Sequence, residues 1–185
     1  MNYSALFSDS GLLDGGDFCC CYCCRGGAVE LPCRSRYPLL FVLQGTSVMR
    51  FKYGSCSVGA GNLLVIDVQA LAEFSAEPGT VVLIYRPPER LVGLLAQCSL
   101  MYDTFFSGLV PILSPLQAWI ERLLAELLQN KAPTDEDAYV RRRELARILV
   151  RHYPRRMLGE LSAAFLACML GDCEKCRSEM ENTTV

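Results

Sequence analysis

LLFVLQGTSVMRFKYGSCSVGAGNLLVIDVQALAEFSAEPGTVVLIYR, residues 39–86, is the stretch that decides the fold. Turn residues recur in it about every ten positions, and the segments between are rich in Val, Leu, Ile, Phe and Tyr; that rhythm predicts a small antiparallel sandwich or barrel. Phe41 to Gln44 read as one strand, stopped at Gly45. Beyond it Met49, Phe51 and Tyr53 alternate with Arg50 and Lys52, the period of a half-buried strand over 48–53. Gly54 and Ser55 predict a tight turn back into a strand over 56–58. The run Gly59-Ala60-Gly61-Asn62 predicts a second turn, where glycine tolerates positive φ. Residues 63–68 are mostly apolar, as in a strand covered on both faces. Glu77, Pro78, Gly79 and Thr80 predict another turn before a strand over 81–86. Pro87 and Pro88 end the sheet, because proline cannot donate to a ladder. The whole stretch lacks histidine. It therefore has no imidazole for an inward-facing catalytic metal, and it reads as a sensor or scaffold.

After the strands the period changes. A helix is expected over 91–106. Trp119, Ile120, Leu123, Leu124, Leu127 and Leu128 recur at helical spacing, with Asn130 and Pro133 ending that helix. Thr134 with Asp137 forms a start signal, and Glu136 adds charge where the helix dipole favours it. The helix that follows carries Val140, Leu145, Ile148, Leu149 and His152 until Pro154. A further segment places Leu158, Leu161, Phe165 and Cys168 on one face, with Gly171 as its cap. The chain thus divides into a leading arm over 1–37, a strand unit over 38–90, a helical part over 91–170 and a polar tail over 171–185.

The chain has 185 residues, of which 51% are apolar, enough for one or two packed domains. A formal net charge of −2 lacks the basic surplus of a nucleic-acid domain. No positively charged start precedes an apolar run, as a secretory signal requires. No apolar run reaches the length of about 18 residues that marks a membrane span. The expected location is the cytoplasm, with no membrane partner. Eleven cysteines are an odd number, and in that compartment they read as thiols or metal ligands before disulfides.

CCCYCC, residues 19–24, holds overlapping C-x-x-C pairs, Cys20 with Cys23 and Cys21 with Cys24. Cys173 with Cys176 forms another. Two such pairs make a tetrahedral zinc cage, with Cys21, Cys24, Cys173 and Cys176 as ligands. The competing reading is a buried strand of small apolar side chains, since the thiol buries readily. His152 is the only histidine. Every imidazole-dependent mechanism rests on it, yet its place suits a helix C-terminus. Arg141, Arg142 and Arg143, with Arg147, Arg151, Arg155 and Arg156, are interspersed with Glu136, Asp137, Glu144 and Glu160, which describes a solvated helix face. Gly59 and Gly61 are not part of a phosphate loop, for no G-x-x-x-x-G-K-[ST] occurs.

The order FVLQGTSVMRF…GSCSVGAGNLLVIDVQALAEFSAEPGTVVLIYR resembles the small cupin-type barrel of AraC-family transcription regulators. The likeness is carried by Leu43-Gln44-Gly45, by Gly61-Asn62-Leu63-Leu64-Val65-Ile66 and by Phe74 with Val81-Val82-Leu83-Ile84-Tyr85. LLAQCSLMYD resembles the helix after that barrel. LQAWIERLLAELLQN resembles the paired linker helices, and YVRRRELARILVRHYPRRMLGELSAAFLA a further helical hairpin. The resemblance spans residues 38–168.

It implies an α+β fold, a small antiparallel cupin-like barrel or sandwich followed by a helical dimerisation segment. It also implies a non-catalytic, effector-sensing domain that forms a homodimer. Members of that family read DNA through a separate domain with two helix-turn-helix units, for which GDCEKCRSEMENTTV is too short. DNA is therefore expected to be reached only through a domain absent from this chain. Met49, Phe51, Tyr53, Ile66, Phe74 and Ile84 are the expected barrel interior. It would either take a small, largely apolar effector or be filled by side chains. Trp119, Ile120, Leu123, Leu124 and Leu127 are expected to face another helix, in cis or across a two-fold axis. No catalytic residue and no cofactor are expected. One alternative is a cysteine-rich protein in which zinc ties the arm to the tail. Another is a cupin-type isomerase, ranked last for want of imidazoles and of an acid–base pair.

Overall fold

Two antiparallel sheets stack face to face, and helices cover the outside of one of them. The computed structural model describes residues 3, 7, 11–31, 38–51, 54–66, 68, 71–86, 109–129, 134–158 and 161. Its strands in chain order are β1 (Leu12–Asp14), β2 (Phe18–Cys23), β3 (Gly27–Ala28), β4 (Leu39–Gln44), β5 (Thr46–Phe51), β6 (Gly54–Gly59), β7 (Asn62–Val65), β8 (Leu71–Ala76), β9 (Thr80–Tyr85) and β10 (Val110–Pro111). Among the described residues the first sheet runs β1-β2-β9-β4-β7-β10 and the second β3-β8-β5-β6. No described ladder joins the two, so the α+β architecture is a sandwich and the closed barrel is not formed.

Period two sorts the first sheet's side chains into two cores. Phe18, Cys20, Leu39, Phe41, Leu63, Val65, Leu83 and Tyr85 point outward, under the helices. Cys19, Cys21, Leu40, Val42, Leu64, Val82 and Ile84 point inward, against the second sheet. Both faces are covered, and these strands consequently read as unbroken apolar runs. Among the described residues nothing covers the far side of the second sheet, where Arg50 Nη1 lies 3.1 Å from Glu73 Oε2 across β5 and β8.

Four short connections pass between the sheets at one end: 23–27, 44–46, 59–62 and 76–80. Backbone bonds knit them, Ala60 N to Gly45 O at 2.9 Å, Glu77 N to Thr46 O at 2.9 Å and Gly79 N to Cys23 O at 2.8 Å. Gly45 has φ +76°, and a Cβ there would stand 2.8 Å from Thr80 Cα. Only glycine meets both demands.

Helix α1 (Ser114–Leu128) lays Leu116, Trp119, Ile120, Leu123, Leu124 and Leu127 on the outer core. Helix α2 (Asp135–His152) adds Leu145 and Leu149. It opens with the expected capping box: Thr134 Oγ1 accepts from Asp137 N at 3.2 Å, and the Asp137 carboxylate accepts from Thr134 N at 2.9 Å. After α2 the buried Tyr153 ties the layers together. Its hydroxyl accepts from Leu113 N at 2.9 Å and donates to Pro111 O at 3.0 Å. Trp119 Nε1 donates to Glu144 Oε2 at 3.1 Å, linking α1 to α2. Among the described residues no helix is long and apolar enough to cross a membrane.

Several expectations need correction. The segment 1–37 is not an arm apart, because it supplies β1, β2 and β3. FCCCYC is apolar on both of its faces, and it gains cover on each only inside a sheet. Trp119, Ile120, Leu123, Leu124 and Leu127 are covered within the chain, by the first sheet and α2. The in-cis alternative is the one the structure shows, and these five are not available to a second copy. Gly54 and Ser55 belong to β6 and pair with Phe51 and Arg50. Val140 and His152 are exposed and do not share the buried face of Leu145 and Leu149. The expected helix over 91–106, the signals at Pro87, Pro88, Asn130, Pro133 and Gly171, the positions Phe165 and Cys168, and the tail over 171–185 lie outside the described residues.

Candidate functional site

The strand pattern brings Met49, Ile66, Phe74 and Ile84 together between the sheets, all buried, with the half-buried Phe51 packed against them. Tyr53 lies outside the described residues. These side chains meet one another and the inward faces of β2, β4 and β7, so the space between them is taken up by packing. The fully buried polar side chains among the described residues are Ser47 and Thr80. Thr80 serves the corner beside Gly45: its hydroxyl donates to Thr46 O at 2.9 Å and accepts from Thr46 N at 3.2 Å.

A groove of about 340 Å³ opens at the lateral edge of the sandwich, near β1, β2 and β3. Cys21, Cys23, Cys24, Arg25, Val29 and Glu30 are among the residues that line it. Cys21, Cys23 and Val29 also belong to the inter-sheet cluster, so the groove reaches the flank of the interior.

The β2 thiols differ from one another. Hydrogen bonding with Cys21, helped by the Arg86 guanidinium, holds Cys19 below the usual thiol range although burial works against it. The same pairing, then burial, pushes Cys21 up. Burial alone is the leading cause that raises Cys20 and Cys23. Arg86 also donates through Nη1 to Gly16 O, and the same nitrogen lies 3.5 Å from Asp14 Oδ1.

A second polar group sits where β2 begins, beneath α2. Asp17 and Arg141 approach to 4.0 Å, with side-chain exposures of 15% and 12%. Burial raises the Asp17 carboxyl above its ordinary range, and Arg141, Arg142 and Arg86 pull the other way. The Tyr85 hydroxyl is raised by burial and by the nearby Asp17.

Of the expected zinc ligands, Cys21 is buried between the sheets and Cys24 is exposed beyond the end of β2. Cys173 and Cys176 lie outside the described residues. Among the described residues no three or more His, Cys, Asp or Glu side chains converge to hold a metal ion. The strand reading of CCCYCC is the one seen, at Phe18–Cys23. Sequence reasoning missed Cys19 and Arg86 as partners. Alternation along FCCCYC puts Cys19, Cys21 and Cys23 on one face, and that signal was legible.

No family model matches this chain, and no curated protein matches it. It is similar to solved structures of low identity. An apo single-residue variant of ToxT from Vibrio cholerae is 10% identical over 91% of this chain and 71% of that one, with a TM-score of 0.41. The AraC-like transcriptional activator CuxR is 12% identical over 89% of this chain and 65% of its own, with a TM-score of 0.46. Wild-type ToxT with a bound unsaturated fatty acid is 10% identical over 84% and 61%, with a TM-score of 0.39. This chain thus spans less than two thirds of the length of CuxR.

Proposed function

We propose that this chain is an effector-sensing regulatory unit of the AraC type, which binds a small, largely apolar molecule and does no chemistry on it. One observation carries the reading: an apolar inter-sheet interior that is flanked by a groove at its edge, inside a sandwich whose described helices lie on the first sheet. The strand order along residues 39–85 and the helices after it follow the order on which the sequence resemblance rests. The interior offers dispersion contacts and thiols, which favour capture of an apolar body over proton transfer. The proposal assigns DNA reading to none of the described residues, and it places the chain in the reducing cytoplasm, where the β2 cysteines keep their thiol form.

The proposal includes a homodimer. Since α1 is occupied within the chain, a helical interface would use the outer face of α2, where Tyr139, Val140 and Val150 are exposed. Light scattering of the wild type and of Val150→Glu tests that part.

Thermal unfolding tests the sensing function, with an unsaturated fatty acid and shorter apolar carboxylic acids as probes. A ligand of the native state raises Tm with its concentration. Such a rise, lost in Val29→Trp, whose indole would fill the edge groove that Val29 lines, supports the reading. No rise with any probe overturns it for this ligand class.

A further inference from the structure

Of the six described cysteines only Cys24 is exposed. Three thiols line the edge groove, because Cys21 and Cys23, 7% and 8% exposed, face it together with Cys24. Leu12, Tyr22 and Val29 give that groove apolar walls, and the exposed Arg25 and Glu30 bring charge to it. Its volume of about 340 Å³ is that of a small-molecule site. The backbone fixes where Cys24 stands. Before it, Tyr22 N donates to Gly11 O at 2.6 Å and Gly79 N donates to Cys23 O at 2.8 Å. After it, Gly26 has φ +69°, and a Cβ there would lie 2.9 Å from Ala76 O. Val29 N then donates to Phe74 O at 2.8 Å. The thiol is therefore held on a segment tied down on both sides, as a binding site requires.

Cysteine is a strong nucleophile even with a few per cent of thiolate at neutral pH, and access decides which thiol reacts. Cys24 has that access, while Cys21 and Cys23 are covered. An accessible thiol beside apolar walls and a guanidinium suits an electrophile with a hydrocarbon tail and an oxygen that gains charge as the bond forms. Conjugated unsaturated carbonyl compounds have both.

We propose that the edge groove is a covalent modification site, in which Cys24 captures apolar α,β-unsaturated carbonyl compounds. The sulfur of Cys24 bonds to the β carbon. The electron pair of the carbon–carbon double bond moves toward the carbonyl and forms an enolate, and the proton lost by the thiol ends on the α carbon. The addition keeps every atom and needs neither an oxidant nor a leaving group. Arg25 supplies positive charge for the enolate oxygen, and Glu30 in the same groove works against it. The inference goes beyond the sensing reading and does not rest on it: the effector is held reversibly, and the electrophile is a different molecule held by a bond.

The test uses the reduced full chain. The probes are two linear enones, both methyl ketones, whose double bond carries a pentyl tail in one and a methyl group in the other. Proteolysis and mass spectrometry follow the rate of addition at each cysteine. The pentyl-tailed enone is expected to modify Cys24 at least about tenfold faster than the methyl-tailed one, a discrimination that a single methylene can reach in an apolar site. The chain's other cysteines are the internal reference, where the two rates are expected to match. Cys24→Ser is expected to lose the preferred adduct. Val29→Trp is expected to erase the preference while iodoacetamide still alkylates Cys24 at the wild-type rate. Equal rates for the two enones at Cys24, or the same preference at the other cysteines, make Cys24 an ordinary surface thiol and overturn the proposal. Should Val29→Trp unfold the chain, competition in the wild type decides. The saturated pentyl-tailed ketone must slow addition of its enone at Cys24 and leave iodoacetamide unaffected, and no slowing refutes the site.

Discussion

Arg141 reaches from α2 to Asp17 at the start of β2, with 4.0 Å between Nη1 and Oδ1. Its Nε and Nη2 hold Glu126 Oε2 of α1 at 3.2 and 3.1 Å. One guanidinium therefore joins the first sheet to both helices. The Asp17 gap is too long for a hydrogen bond, and the attraction across it is Coulombic.

That geometry sets a pH dependence. Burial raises the folded-state pKa of Asp17 above its unfolded value, so the native state holds the proton more tightly. The contribution of Asp17 to stability is complete below the unfolded carboxylate pKa of about 3.9. It is lost as pH rises through the folded pKa. Urea midpoints measured across this range are expected to fall for wild type relative to Asp17→Asn. A difference between the two that stays constant with pH would show that Asp17 is not the titrating group.

Leu123 is 2% exposed under the first sheet. Leu123→Ala is expected to cost about 2–5 kcal/mol, the range for a buried leucine whose cavity relaxes only in part. Leu123→Glu is expected to unfold the chain instead of releasing a folded monomer. Circular dichroism beside light scattering separates the two outcomes.

Gly45 and Gly61 have similar φ values, +76° and +80°, but different surroundings. A Cβ at Gly61 meets nothing within 4 Å. Gly61→Ala then carries only left-handed strain of about 1–2 kcal/mol. Gly45→Ala adds a collision with the Thr80 backbone and is expected to cost clearly more. Equal denaturation midpoints for the two variants would contradict the tight corner.

Tyr153→Phe removes the two part-buried hydrogen bonds of its hydroxyl, with Leu113 N–H and Pro111 O. The expected loss is about 0.5–1.5 kcal/mol per bond, the net range where water can take the hydroxyl's place. Hydrogen exchange at Leu113 is the local check. Unchanged protection there would show that the hydroxyl is dispensable.

The sequence patterns that proved legible were those set by strictly local rules. Period two placed Met49 and Phe51 on the inner face of β5, and the Thr134–Asp137 box marked the start of α2 within one residue. Less legible were features that depend on neighbours distant in sequence. β2 reads as a cysteine cluster until β9 is seen pairing with it along six positions, from Phe18 with Tyr85 to Cys23 with Thr80. The stripe of α1 announces burial but not its partner, which proved to be Phe18, Leu83 and Tyr85 and not a second copy. β8 hides because the ladder shifts register between Arg50 and Phe51, which breaks the alternation around Leu71 and Glu73. The meeting of Cys19 with Arg86, and of Asp17 with Arg141, needs the sheet and the helices already in place.

The four glycine-bearing corners all lie at the same end of the sandwich. That end acts as the spine of a book, and the opposite end, beside Phe51 and Leu71, is its fore-edge. Were the covers to part there, the sheet lying against α1 and α2 would carry the tilt to the helices.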